Sequence, residues 1–162
     1  MSMTVRYIQR STLCMLLLLA ACEHPIAVVT PHIEAADLLM ADSVGALLTR
    51  TEFNRRWQVD SLLLRDGEAR RITLTPLDFR GVPIEIASRR DLSFRMEAER
   101  GELLQWEPQR GYGMLRPFGV GVTRVRFLIW HDTHADFVTP WLRVQIQPAA
   151  AAREPFSSVT SP

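Results

Sequence analysis

Cysteine is scarce in this 162-residue chain, and the positions of the cysteines matter more than their number. Cys14 and Cys22 both lie within the first 22 residues. The sequence beyond residue 22 therefore cannot form an internal disulfide, even in an oxidising compartment. Its stability has to come from a hydrophobic core, and the roughly 115 residues from 33 to 147 are enough for one ordinary domain but not for two.

Lysine is absent, so every basic side chain is an arginine. The 19 basic residues face 18 acidic residues, which gives a formal net charge of +1. A protein that binds nucleic acid would show a basic patch or stripe, and this near-neutral balance gives no sign of one. We therefore predict no nucleic-acid partner.

Familiar catalytic motifs are also missing. The sequence has no Gly-x-Ser-x-Gly nucleophile elbow, no glycine-rich phosphate loop and no cysteine nucleophile after residue 22. Glu97 and Glu99 share one face of a candidate strand, but the neighbouring arginines indicate a solvated charged face rather than an acid–base pair. The sequence thus predicts that the protein is not an enzyme.

The N-terminus has the layout of an export signal. Arg6 and Arg10 precede an uncharged apolar run from Leu13 to Ala21, which is the arrangement of a signal peptide. A permanent membrane-spanning helix needs roughly 20 apolar residues, and this run is too short. We therefore expect the segment to be cleaved rather than retained as an anchor.

The apolar run ends in Leu-Ala-Ala-Cys22, which resembles the lipobox of bacterial lipoprotein precursors. The resemblance implies cleavage before Cys22, lipid on its thiol and attachment to a membrane of the cell envelope. Residue 23 is Glu rather than Asp, which favours sorting to the outer membrane over the inner membrane. In this interpretation residues 1–21 are the signal peptide, residues 22–32 a tether, and residues 148–162 an unstructured tail.

Between the tether and the tail, apolar residues recur mostly with the period of two that is typical of half-buried strands. Val125, Phe127 and Ile129 fall on one face of their segment, whereas Arg124 and Arg126 fall on the other. The same alternation appears in 92–97 and 142–147, and a helical turn is possible around 86–92. Further candidate strands are 33–41, 46–51, 59–64, 71–77, 103–107 and 113–116.

The pattern of short strands and turns predicts an all-β domain, an antiparallel β-sandwich, over residues 33–147. The Arg-Ile-Thr-Leu-Thr-Pro-Leu-Asp segment from Arg71, followed by the late Gly-Val-Gly-Val-Thr-Arg-Val-Arg-Phe strand from Gly119, resembles bacterial immunoglobulin-like domains. The resemblance covers roughly residues 58–147 and implies an immunoglobulin-like fold. Fold alone does not imply function.

One polar segment contains side chains that could bind a metal ion. His131-Asp-Thr-His134-Ala-Asp136 directly follows the apolar strand that ends at Trp130. His131, His134 and Asp136 could hold Zn²⁺ or Cu²⁺, with His24 or His32 supplying a further ligand from the tether. The alternative is a polar loop whose Asp and Thr side chains cap nearby backbone N–H groups, with no cofactor.

Two functional hypotheses follow. The first is a lipid-anchored interaction module that binds another envelope protein or serves as an accessory subunit of a membrane complex, with Trp141 and Trp57 as candidate surface residues. The second is a metal-binding envelope lipoprotein that uses the segment from His131 to Asp136. An exposed apolar patch around the tryptophans would favour the first hypothesis. Converging histidine nitrogens would favour the second.

Overall fold

The computed structural model describes residues 32–149. The predicted signal peptide, Cys22, His24 and nearly all of the tail lie outside these described residues. Within them the chain forms strands and turns, with no helix. No helix in this part of the chain could therefore cross a bilayer.

Eleven strands follow one another in the described range. They are β1 (Asp37–Ala41), β2 (Leu47–Glu52), β3 (Arg56–Trp57), β4 (Ser61–Arg65), β5 (Arg70–Leu77), β6 (Leu92–Ala98), β7 (Leu104–Gln109), β8 (Tyr112–Pro117), β9 (Gly121–His131), β10 (His134–Val138) and β11 (Leu142–Gln147).

The strands build two sheets. The first sheet has the order β3-β2-β1-β5-β8-β7, and the second has the order β10-β9-β11-β4 with β6 paired along the other side of β9. Side chains from both sheets form one buried apolar cluster, which includes Leu38 and Ile72 from the first sheet and Phe127 and Val144 from the second. The predicted all-β sandwich is confirmed. The pairing is antiparallel except between β4 and β11, which run parallel.

Strand β9 organises the second sheet because it is long enough to pair with three neighbours. Its first half pairs with β11, its last four residues pair with β10, and β6 runs along its opposite edge. Val125, Phe127 and Ile129 are buried on its inner face, as their alternation predicted. Phe127 lies edge-to-face with Trp57 and Trp106, which fixes its ring between the two sheets.

The outer face of β9 carries ion pairs with β6. Arg126 Nε donates to Glu97 Oε2 at 2.6 Å, and Arg124 Nε donates to Glu99 Oε2 at 2.8 Å. The expectation that Glu97 and Glu99 belong to a solvated charged face is therefore confirmed.

The predicted strand over 33–41 begins only at Asp37. Ahead of it, Ile33 N–H donates to the Asp136 carboxylate, and the first backbone–backbone hydrogen bond to a sheet comes from Ala36 N–H. The two-residue β3 and the short β10 were not predicted, because neither shows a clear alternation. The segment 86–92 contains a turn closed by Arg89 N–H and Ile86 C=O, without a helix.

Candidate metal centre

The segment from His131 to Asp136 is a β-hairpin rather than the polar loop that the sequence suggested. β9 ends at His131, β10 begins at His134, and the two residues are direct cross-strand partners. The two residues between them turn the chain, and Asp132 adopts the left-handed conformation, with φ of 46°. Cross-strand partners point to the same face of a sheet, with Cβ atoms about 5 Å apart. Both imidazoles therefore project to the same side.

A β-bulge adds Asp136 to this pair. Ala135 pairs with Trp130 and Phe137 pairs with Ile129, so Asp136 is the extra residue between them. A bulge re-aims a side chain and is common next to functional sites. Here it buries the Asp136 carboxylate, whose side chain is 1% exposed, beside the two histidines.

The fourth side chain of the cluster is His32, at the start of the described residues. His32 Nδ1 lies 3.0 Å from Asp136 Oδ1 and 3.4 Å from His134 Nε2. Ile33 N–H donates to Asp136 Oδ2 at 3.1 Å and holds this part of the chain against the hairpin. The sequence named His24 or His32 as the further ligand; the structure places His32 in the cluster, and His24 lies outside the described residues.

The four side chains offer one donor atom each, and these atoms all lie within 4.8 Å of one another. His134 Nε2 is 3.0 Å from Asp136 Oδ1, and His131 Nδ1 is 3.2 Å from Asp136 Oδ2. In a tetrahedral zinc site with bonds of about 2.0–2.1 Å, ligand atoms lie about 3.3–3.4 Å apart. The shortest separations in this cluster are close to that value, and donor atoms as far as 4.8 Å apart would have to draw together around an ion.

His131 has no hydrogen bond to explain its burial. The residue is only 2% exposed, and it is the one residue in the described range with two buried side-chain nitrogens that both lack a hydrogen-bond partner. Buried polar groups are normally hydrogen-bonded, because an unpaired group loses its hydration without compensation. A metal ion on the nitrogen facing the cluster would supply the missing interaction.

The other nitrogen of His131 faces a carboxylate. Nε2 lies 3.3 Å from Asp91 Oδ2, and both Asp91 oxygens are held by the Arg89 guanidinium. The hydrogen bond from Arg89 lowers the pKa of Asp91 despite partial burial, which keeps it an anionic acceptor. Histidines that bind metals usually donate their second N–H to such a group. Sequence reasoning missed Asp91, which precedes His131 by 40 residues and adjoins it only because β6 pairs with β9.

Electrostatics keep the central carboxylate charged. Burial by itself raises the pKa of Asp136, but the hydrogen bonds from His32 and the Ile33 amide, with the positive potential of His131 and His32, outweigh burial. The net effect is a lowered pKa of Asp136. An ionised carboxylate surrounded by three imidazoles is a donor set that suits Zn²⁺ or Cu²⁺.

The tryptophans proposed for an interaction surface differ in their environment. Trp57 is 6% exposed and its Nε1–H donates to Pro140 C=O, so the expectation that it lies on a recognition surface is wrong. Trp141 is 38% exposed and lies beside the Arg126 guanidinium, 4.9 Å from the ring centroid. Trp57 and Trp141 therefore do not form a shared apolar patch.

No protein-family model and no curated protein matches the chain. Among solved structures, the chain is similar to domains 4 and 5 of the S-layer protein SbsC, with a TM-score of 0.38 and 9% sequence identity. The similar region covers 60% of this chain and 63% of that structure, so this chain spans less than two thirds of the length of the SbsC structure. A likeness this low carries no argument about the site.

Proposed function

We propose that the protein is a lipid-anchored metal-binding protein of the bacterial cell envelope, with Zn²⁺ or Cu²⁺ held by His32, His131, His134 and Asp136. The observation that carries the proposal is the convergence of four donor atoms around a buried histidine that has no hydrogen-bond partner. Three imidazoles and a carboxylate suit both ions, and the geometry of the bound ion would distinguish them.

The competing hypothesis of an interaction module has weaker support. It depended on an exposed apolar patch that contains Trp57 or Trp141, and Trp57 is buried in the core. Trp141 is partly exposed, and the guanidinium groups of Arg124 and Arg126 lie over its ring. We therefore rank metal binding first and retain a protein partner as a role for other surfaces.

Metal titration of the mature chain, purified in detergent, tests the proposal directly. We expect one equivalent of Zn²⁺ to bind, and we expect His131→Ala and His134→Ala each to abolish tight binding because each removes one of four donors. His24→Ala is the comparison variant: His24 lies outside the described residues, and we expect its removal to leave zinc binding unchanged if the four-residue cluster is the site. Absence of binding, or binding that His131→Ala leaves intact, would overturn the proposal.

The proposed localisation to the cell envelope depends on lipidation of Cys22, and a separate experiment tests it. Replacing Cys22 with Ser removes the thiol that the lipid would modify, and with it the predicted lipid anchor. We expect Cys22→Ser to release soluble protein or to accumulate the uncleaved precursor. A wild-type protein with an unmodified N-terminus that fractionates as soluble would contradict the lipoprotein interpretation.

A further inference from the structure

The candidate metal centre takes its donors from two separate parts of the chain. His131, His134 and Asp136 belong to one hairpin, whereas His32 precedes Asp136 by 104 residues. We call residues 32–36 the leading segment, because the chain passes through them before it joins the sheet at β1. A metal ion bound by all four side chains would cross-link the leading segment to the hairpin.

The leading segment has few other attachments. Its first backbone–backbone hydrogen bond to a sheet is from Ala36 N–H to Leu77 C=O, at 2.8 Å. Ahead of Ala36, Ile33 is buried in the core, and its N–H donates to the side chain of Asp136 at Oδ2. The His32 side chain is 62% exposed, and among the described residues its polar contacts are with Asp136 and His134. The start of the segment is therefore held by the same carboxylate that would bind the metal.

The four donors divide into three on the hairpin and one on the leading segment. The side chains of His131 and Asp136 are buried, and His134, whose side chain is 50% exposed, begins a paired strand. His32 alone belongs to no strand. An exposed histidine–carboxylate contact is weak, since water competes for both groups and side-chain entropy opposes it. A metal–imidazole bond is much stronger.

We propose that His32 is a detachable ligand, so that metal binding and docking of the leading segment depend on each other. The inference rests on the proposed function, and it adds a regulatory consequence. The bound ion fastens the leading segment to the hairpin, and withdrawal of the segment opens one side of the site. By linkage, whatever factor the metal contributes to docking, docking contributes the same factor to metal affinity.

The leading segment is the described part of the chain that is nearest in sequence to the predicted lipid anchor, since Cys22 lies ten residues before His32. Tension on that segment would pull His32 from the ion, and a partner that displaced it would promote release.

Hydrogen exchange of the Ile33 amide in the full mature chain, measured by NMR with and without Zn²⁺, tests the coupling. In the wild type we expect saturating Zn²⁺ to slow exchange of this amide roughly tenfold or more, within the usual 5–150-fold range of coupled sites. The Ala36 amide is the internal reference, because its sheet hydrogen bond forms without metal.

The key variant is His32→Ala, which keeps the three hairpin donors. We expect it to bind Zn²⁺ roughly tenfold or more weakly and to show no added Ile33 protection when saturated. Equal protection in wild type and His32→Ala, or unchanged affinity in the variant, would overturn this inference while leaving the proposed function standing. Failure of the wild type to bind Zn²⁺ at all would overturn both.

Discussion

The polar residues on the two faces of β9 differ in whether they form hydrogen bonds within the protein. On the outer face, Arg124 and Arg126 each form an ion pair with a glutamate across the sheet. On the inner face, the buried row that contains Phe127 and Ile129 ends in His131, and both ring nitrogens of that histidine lack a hydrogen bond. The polar groups of the outer face form hydrogen bonds within the protein, whereas the His131 nitrogens lie 3.2 and 3.3 Å from carboxylate oxygens without forming a hydrogen bond.

The difference distinguishes polar residues that serve the structure from polar residues that could serve a function. Exposed ion pairs contribute little to stability but leave nothing unsatisfied. A buried histidine in an apolar row costs stability unless something binds it, and proteins retain such costs mainly where a site requires them. The comparison therefore favours the end of the inner face, next to Asp136 and His32, as the candidate functional centre.

Removal of the core aromatic should have the largest effect. Phe127 is buried between Trp57 and Trp106, so Phe127→Ala would leave a cavity that costs about 3–5 kcal/mol. Urea unfolding followed by tryptophan fluorescence measures the loss. A cost below about 1 kcal/mol would mean that the inner face of β9 is not the centre of the core.

An intermediate effect is expected at Asp91, which faces His131 Nε2 from the start of β6. Loss of such a supporting carboxylate typically weakens metal affinity by about 10–100-fold. We expect Asp91→Asn to weaken Zn²⁺ binding within this range, and we expect Asp91→Glu to restore part of it. Zinc competition with a chromophoric chelator provides the measurement.

Asp91→Asn has a matched control at another carboxylate paired with an arginine. Glu102→Gln removes the partner of Arg100 on the surface, away from the histidines in sequence and in contacts. It should leave zinc affinity unchanged. Equal weakening by both variants would indicate a general charge effect rather than support of His131.

The smallest effect is expected on the outer face. Arg126→Ala breaks the pair with Glu97 and exposes part of the Trp141 ring. Because exposed ion pairs contribute little, stability should change by less than about 1 kcal/mol. Urea unfolding checks this, and a loss equal to that of Phe127→Ala would indicate that β9 is shifted in register by one residue.

Local alternation was sufficient to predict much of the fold. The period of two placed Phe127 inside and Arg126 outside, and it marked most strands to within a few residues, because burial on one face of a sheet imposes that pattern directly. It failed at β10, where His134 and Asp136 replace apolar residues and a bulge interrupts the alternation. The same features that hide the strand from sequence analysis build the site.

The candidate site was only partly predictable. His131, His134 and Asp136 lie within six residues, so their proximity could be inferred from sequence spacing. His32 and Asp91 approach through tertiary structure: the chain preceding β1 lies across the hairpin, and β6 pairs with β9. Such contacts depend on strand order, which local patterns do not encode.

The central claim is that His131 is kept in the core to bind a metal, and His131→Leu tests it most directly. Leu fills a similar volume and leaves no unpaired nitrogen, but it also removes the positive potential that helps to lower the pKa of the buried Asp136. These effects oppose each other, so the metal-free variant should lie within about 1 kcal/mol of the wild type. Thermal melting should then show that Zn²⁺ stabilises the wild type by about 2.7 kcal/mol at a hundredfold excess over its dissociation constant. The same Zn²⁺ should leave His131→Leu unchanged.

The contrary result is equally clear in the same melting curves, recorded with Zn²⁺ and with Cu²⁺. If neither ion raises the melting temperature of the wild type, or if either raises that of His131→Leu by the same amount, His131 is not retained for metal binding. If the metal-free His131→Leu protein is instead several kcal/mol less stable than the wild type, the histidine stabilises the fold, and its retention for metal binding is contradicted.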